Sequence, residues 1–358
     1  MLRKYCIIIY DSRGGVVMRK RNINIDLIKC IAVFSVISVH FFANTGFYDK
    51  TISGNDMYIA VFFRTLFMIC VPLFMITTGY LMKNKTLSKK YYLGISRVLI
   101  IYLLDAVLYL NYNILYLNQQ LDIKHIVYNI LNFEIGYSWY VEMYIGLFLL
   151  IPFINLIYNN LKSKKQKQIL IMTMLILTSF QGIFNIKYSL IPDWWTGIYP
   201  LTYYFIGCYL KEYKVNIKSL KNILLFLICL VISSFINIYI SKGTTFIRCI
   251  LNDWGSIFNV LTSSLIFLFI INLDLTKLNI NIKKIIVKIS ELSFGMYLVS
   301  WTVDNFLYYN YFENLNFFNV VGYFKIVPLV FILSISLSMI ITAIYKIINK
   351  YIIKKIRI

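Results

Sequence analysis

Three ionisable residues fall on one stripe of an otherwise apolar segment near the N-terminus, Leu27 to Ala43. Asp26 sits at its mouth, Lys29 lies one turn in, and His40, one of only two histidines in the chain, lies close to its far end. Successive residues of an α-helix turn by ~100°, so Lys29 and His40 differ by three full turns plus only ~20°, and Asp26 lies ~40° from His40. An ionised side chain at mid-helix costs roughly 2.5–3.5 kcal/mol or more in hydrocarbon, so such residues mark function before decoration. The segment therefore lines up an acid, a cation and a proton acceptor, pointing from one membrane surface toward the other.

The elements that carry this line are membrane helices. The chain has 358 residues, of which 59% are hydrophobic and 14% charged, with a mean hydropathy of +0.71. Soluble domains are nearer ~45–50% apolar and ~25% charged. About 20 residues at ~1.5 Å each cross a ~30 Å hydrocarbon core. By that length the expected fold is an all-α membrane protein of about ten spans: 26–44, 57–82, 98–117, 138–160, 169–186, 197–210, 223–241, 255–273, 286–307 and 321–345.

The net charge of +21 reads as topology and not as nucleic-acid binding. Cations gather in the tails and in every second turn, for example Arg19–Arg21, Lys83–Lys90, Lys162–Lys167, Lys211–Lys221, Lys277–Lys288 and Lys346 onward to Lys354, Lys355 and Arg357. The alternate loops hold only Lys50, Lys124, Lys187, Lys242 and Arg248. By the positive-inside rule both termini are expected in the cytoplasm. The six cysteines (Cys6, Cys30, Cys70, Cys208, Cys229, Cys249) form no CxxC pair and read as apolar packers, and the two histidines are too far apart in sequence to suggest a metal site. Residues 1–17 are expected to be a leader upstream of the true start, or a disordered tail, with translation beginning at Met18; residues 18–358 form the polytopic domain. The outer loop Asn118 to Tyr137 holds the second histidine, His125, and an apolar run, Ile126 to Phe133, expected to form a short interfacial helix.

Four more charges fall inside spans: Arg64, Asp105, Glu142 and Asp304. Arg64, Glu142 and Asp304 lie in the same outer half as His40, so charges of both signs could converge there. Helix–helix ion pairs or snorkelling end-caps would also account for them.

Five segments, in order, resemble the acyltransferase-3 family of integral-membrane acyltransferases. They are IDLIKCIAVFSVISVH (Ile25–His40), RTLFMICVPLFMITTGYLM (Arg64–Met82), SRVLIIY (Ser96–Tyr102), SWYVEMY (Ser138–Tyr144) and ISELSFGMYLVS (Ile289–Ser300). Lys29 stands where the family usually has Arg, and Ser300 where it usually has a second His. The resemblance implies acyl transfer from cytoplasmic acyl-CoA, chiefly acetyl-CoA, to a hydroxyl on a surface glycan or lipid-linked sugar at a bacterial plasma membrane. For that chemistry the residues offer His40 as general base, Glu142 on another helix as its orienting partner, and Arg64 as charge stabiliser or holder of an acidic acceptor. Lys29, Arg97 and Asp26 would serve the donor end. No metal is implied; the bilayer and envelope-polysaccharide assembly proteins are the expected partners. The alternative is a transporter or exporter module for an amino acid or polysaccharide, since intramembrane charges suit that class as well.

Overall fold

The computed structural model describes residues 6–10, 16–120, 122–185, 188–215, 217–311 and 320–353. Of the sequence readings, residues 1–5 and 11–15 of the expected leader, Lys187, and the tail cations Lys354, Lys355 and Arg357 lie outside these. Two strands, β1 (Cys6–Tyr10) and β2 (Val16–Lys20), pair antiparallel with Ile8 opposite Met18. Beyond them the chain is helical. In order come α1 (Ile23–Asn44), α2 (Gly54–Phe67), α3 (Cys70–Met82), α4 (Lys89–Tyr92), α5 (Ser96–Asn111), α6 (Ile123–Leu131) and α7 (Trp139–Asn160). They are followed by α8 (Lys164–Thr178), α9 (Gln181–Phe184), α10 (Tyr199–Glu212), α11 (Ser219–Ser241), α12 (Ile257–Ile271), α13 (Ile280–Tyr311) and α14 (Val320–Ile348).

Among the described residues, six helical stretches are long and apolar enough to cross a membrane: Ile23–Asn44, Gly54–Met82, Lys89–Tyr116, Trp139–Asn160, Ser219–Ser241 and Val320–Tyr351. Helices α8, α10 and α12 are shorter, at 15, 14 and 15 residues, and α13 is 32 residues long with charge at its start. The loop after α5 forms α6, whose residues Ile123, Val127 and Leu131 are exposed along one face.

Helix α1 starts where Asn22 accepts the Asn24 backbone N–H, a cap for an end that otherwise leaves donors unmet. It then runs through the interior, packed against α2, α3, α12, α13 and α14. Ile28, Ala32 and Val33 are fully buried on it. The second span breaks at Met68–Ile69, between α2 and α3. Pro72 has no N–H to return to the Met68 carbonyl, so the helical ladder fails at that point.

Small residues let helices meet where lipid gives no hydrophobic drive for association. Helices α3 and α10 cross through Gly79 and Gly207: a Cβ on Gly79 would overlap the Tyr204 carbonyl, and one on Gly207 the Ile76 carbonyl. Helices α13 and α14 meet at Gly295 and Ser338, whose hydroxyl donates to the Leu292 carbonyl at 3.0 Å. Gly207→Leu is expected to lower stability by about 1–3 kcal/mol or more, since rigid backbone must move. Gly146→Ala, on α7 with nothing near its Cβ, should leave the melting temperature unchanged or higher. Thermal unfolding of both variants in detergent checks this.

Candidate functional site

Two cavities open along the polar stripe of α1. The basal cavity, about 940 Å³, surrounds the start of the helix and takes in Asp26 and Lys29. The distal cavity, about 560 Å³, surrounds its far end and takes in His40 and Ala43. They share three lining residues, Val36 on α1, Val71 on α3 and Tyr297 on α13. Lys29, Val36 and His40 follow helical spacing, so one face of α1 serves both chambers and Val36 stands in the wall between them.

In the distal cavity the His40 ring lies against Tyr137, with centroids 3.6 Å apart. Its Nδ1 is 3.8 Å from Oδ2 of Asp304 on α13, within ion-pair range but beyond a hydrogen bond. The Tyr137 hydroxyl donates to that same Oδ2 at 3.0 Å and accepts from the Asn44 side-chain amide at 3.0 Å. Asn44 also donates to the His40 carbonyl at 2.9 Å, so the last turn of α1 holds both aromatic rings in place. Asp304 is 1% exposed, which keeps its carboxyl in a low-dielectric setting beside the imidazole. Arg64 enters the cavity from the end of α2, just before the helix break. Its Nη1 donates to the Asn252 carbonyl at 3.0 Å and its Nε to the Tyr48 hydroxyl at 3.4 Å.

The basal cavity is rich in cations: Arg21, Lys29, Arg97, Lys211, Lys288 and Lys346 line it, with Asp26 and Glu291 as acids. Arg21 spends its charge on Asp26, through Nε at 2.7 Å and Nη2 at 2.8 Å, and on Glu291. The Asp26 hydrogen bonds raise the Arg21 guanidinium above its already high ordinary value. Ser290 donates a further bond to Asp26 at 2.6 Å. The Asp26 carboxylate is thus occupied in fastening the start of α1 to α13. Lys29, half-buried, has no ion pair among the described residues and faces open space. Arg97 lies exposed, donating to the Glu291 carbonyl at 3.3 Å.

The structure therefore gathers His40 with Arg64, and Asp26 with Lys29 and Arg97, in two separate chambers. It does not bring Glu142 to His40: Glu142 is exposed at the start of α7 and lines neither cavity. The carboxylate beside the imidazole is Asp304, and Asp105 is buried on α5 away from both cavities. Ser300 is buried and donates to the Tyr297 carbonyl at 2.7 Å, within its own helix. Tyr137 was not singled out by sequence, where it reads as one more residue of an aromatic belt. Arg21 reads as a loop cation, although a basic residue five positions before an intramembrane Asp is a usable signal for a capping pair. Among the described residues no group of three His, Cys, Asp or Glu could hold a metal ion.

A family model described as an acyltransferase domain, of the acyltransferase-3 type, matches residues 22–343. No curated protein and no solved structure matches the chain.

Arg21→Ala should cost about 3–5 kcal/mol, because it leaves the buried Asp26 carboxylate without its cation, and Asp26→Ala less, because Arg21 is only part-buried and keeps Glu291. The double replacement should cost less than the sum of the two, and a double-mutant cycle on thermal unfolding reads that coupling.

Proposed function

The chain belongs to the acyltransferase-3 family, and from that premise we propose that it moves an acyl group, acetyl foremost, from cytoplasmic acyl-CoA to a hydroxyl of an extracytoplasmic or lipid-linked carbohydrate. The observation that carries this reading is the pair of cavities meeting at Val36, Val71 and Tyr297, one cationic and one holding an imidazole beside a carboxylate. The protein is read as ten crossings of a bacterial plasma membrane with both termini in the cytoplasm. The charge of the tails and alternate loops supports that orientation. The basal cavity then faces the cytoplasm and the distal one the outside.

In this reading Lys29 and Arg97, with Lys288 and Lys346, attract the donor's phosphates. Asp26 keeps Arg21 and α13 in place around them. Lys29 and His40 are about 16 Å apart along α1, a separation that calls for an extended arm between phosphates and thioester, as pantetheine provides. His40 takes the proton of the acceptor hydroxyl as the hydroxyl oxygen attacks the thioester carbonyl. With Nδ1 toward Asp304, Nε2 is the nitrogen that receives it, and the Asp304 carboxylate steadies the resulting imidazolium. The tetrahedral intermediate collapses, the C–S bond breaks, and the proton passes from His40 to the departing thiolate. The products are the ester and free CoA thiol. Arg64 adds positive potential for the oxygen that becomes charged. Asp304 takes over the orienting role that the sequence assigned to Glu142.

A carrier for one solute would need both chambers to bind the same ligand. Their different linings, six cations at one end and an imidazole with Trp139, Trp254 and two arginines at the other, favour two different substrates.

Membranes given radiolabelled acetyl-CoA should pass label to a glycan or lipid-linked sugar fraction. His40→Ala should reduce that transfer by roughly 100- to 10,000-fold, the usual worth of a positioned base, and Asp304→Asn by less. Full transfer by His40→Ala would sink the assignment, and solute flux that persists in it would favour a carrier.

A further inference from the structure

The distal cavity carries more positive charge than acyl transfer alone calls for. Besides His40, two arginines line it, Arg64 and Arg248, and neither has a carboxylate within ion-pair range among the described residues. Arg64 is 5% exposed. Its recorded partners are neutral: the Asn252 carbonyl, the Tyr48 hydroxyl, and the Phe246 ring under its guanidinium at 4.6 Å. A guanidinium has five N–H donors, so about three remain for something else. A buried charge with only neutral partners is costly, and an oxyanion would satisfy it with short, charge-assisted bonds.

Arg248 stands nearer the mouth, exposed, with its guanidinium 4.4 Å above the ring of that same Tyr48. Tyr48 thus has one arginine at its hydroxyl and another over its face. The loop that brings Arg248 here is firmly built. Ile52 donates to the Thr244 carbonyl at 2.7 Å and Gly243 to the Ile52 carbonyl at 3.1 Å, which ties the α1–α2 loop to the α11–α12 loop. The Asn252 side chain closes residues 247–252 into a turn, accepting from Cys249 N–H at 3.1 Å and donating to the Ile247 carbonyl at 2.9 Å. That turn aims the Asn252 carbonyl at Arg64. Asp253, the one carboxylate among the described residues of the lining, is exposed and accepts from the Trp254 N–H at 2.7 Å. Trp254 and Trp139 stack at 6.1 Å on the same lining, a broad face for the apolar side of a sugar ring.

We propose that the acceptor is an anionic saccharide, whose carboxylate or phosphate docks on Arg64 after being drawn in by Arg248, with its ring against Trp139 and Trp254. This rests on the acyltransferase reading for what happens next, at His40, but not for the binding itself. Arg64 holds the oxyanion in depth, and Arg248 raises the potential at the entrance, where steering is most effective.

The test uses the full chain in lipid nanodiscs, with intrinsic tryptophan fluorescence as the binding signal. The probes are methyl glucuronide, glucose 6-phosphate and the neutral methyl glucoside. The charged sugars should bind at least tenfold more tightly than the neutral one, and whichever of them binds more tightly names the anion. Arg248→Gln, at an exposed position, should remove most of that preference and Arg64→Gln the rest. Arg64→Lys should restore part of it, which separates lost charge from lost fold. Equal binding of charged and neutral sugars, or a preference that survives in the double Arg64→Gln, Arg248→Gln variant, overturns the proposal. Acyl-CoA turnover on the same samples separates the two readings. Anion-selective binding without turnover leaves this inference standing and defeats the enzyme. Turnover on neutral and charged sugars alike, unchanged by Arg248→Gln, does the reverse.

Discussion

Hydrocarbon tolerates an ionised side chain only where protein or water surrounds it, and α1 carries its charges through the bilayer under that constraint. The solution is to set the helix among other helices. Five of them pack around α1, and its polar stripe lines two cavities. The clamp at its foot, Arg21 with Asp26 and Ser290, fixes the start of the helix against α13. At the top, α13 also contributes Asp304 to His40. Helix α13 therefore sets both ends of the stripe, and the chemistry of each chamber depends on that one pairing.

Helical periodicity made the stripe legible, because the angle between Lys29 and His40 is a property of α1 alone. The apolar runs were legible for the same reason, since length against hydrocarbon thickness is a local test. The break in the second span could be read from Pro72. What lay beyond reading was which helix faces which across the bundle. Glu142 and Asp304 are equivalent on sequence grounds, each a carboxylate in the outer half of a span. Only the packing of α13 against α1 decides that Asp304 meets the imidazole while Glu142 faces outward. The loop carrying Arg248 was opaque for a related reason. Its shape comes from Asn252 and from bridges to a loop some 190 residues earlier in the chain.

The departures from the family pattern take on a physical meaning once placed. Ser300, standing where a histidine is usual, is fully buried and bonded within α13, so it offers nothing to either chamber. Lys29 keeps a charge in the basal cavity without the planar fork of arginine, and around it Arg97, Lys288 and Lys346 supply further positive potential. The imidazole then has Tyr137 and Asp304 for company in place of a second histidine.

The wall of Val36, Val71 and Tyr297 has an electrical consequence. In the proposed orientation, water in both chambers would thin the insulating layer there to about one shell of side chains, and the transmembrane voltage would drop across that layer. Moving one elementary charge through it costs or yields about 2.3 kcal/mol per 100 mV, whereas a neutral thioester feels almost nothing. If the acyl group crosses here, as proposed, the same three side chains that let it pass would also oppose ions and protons.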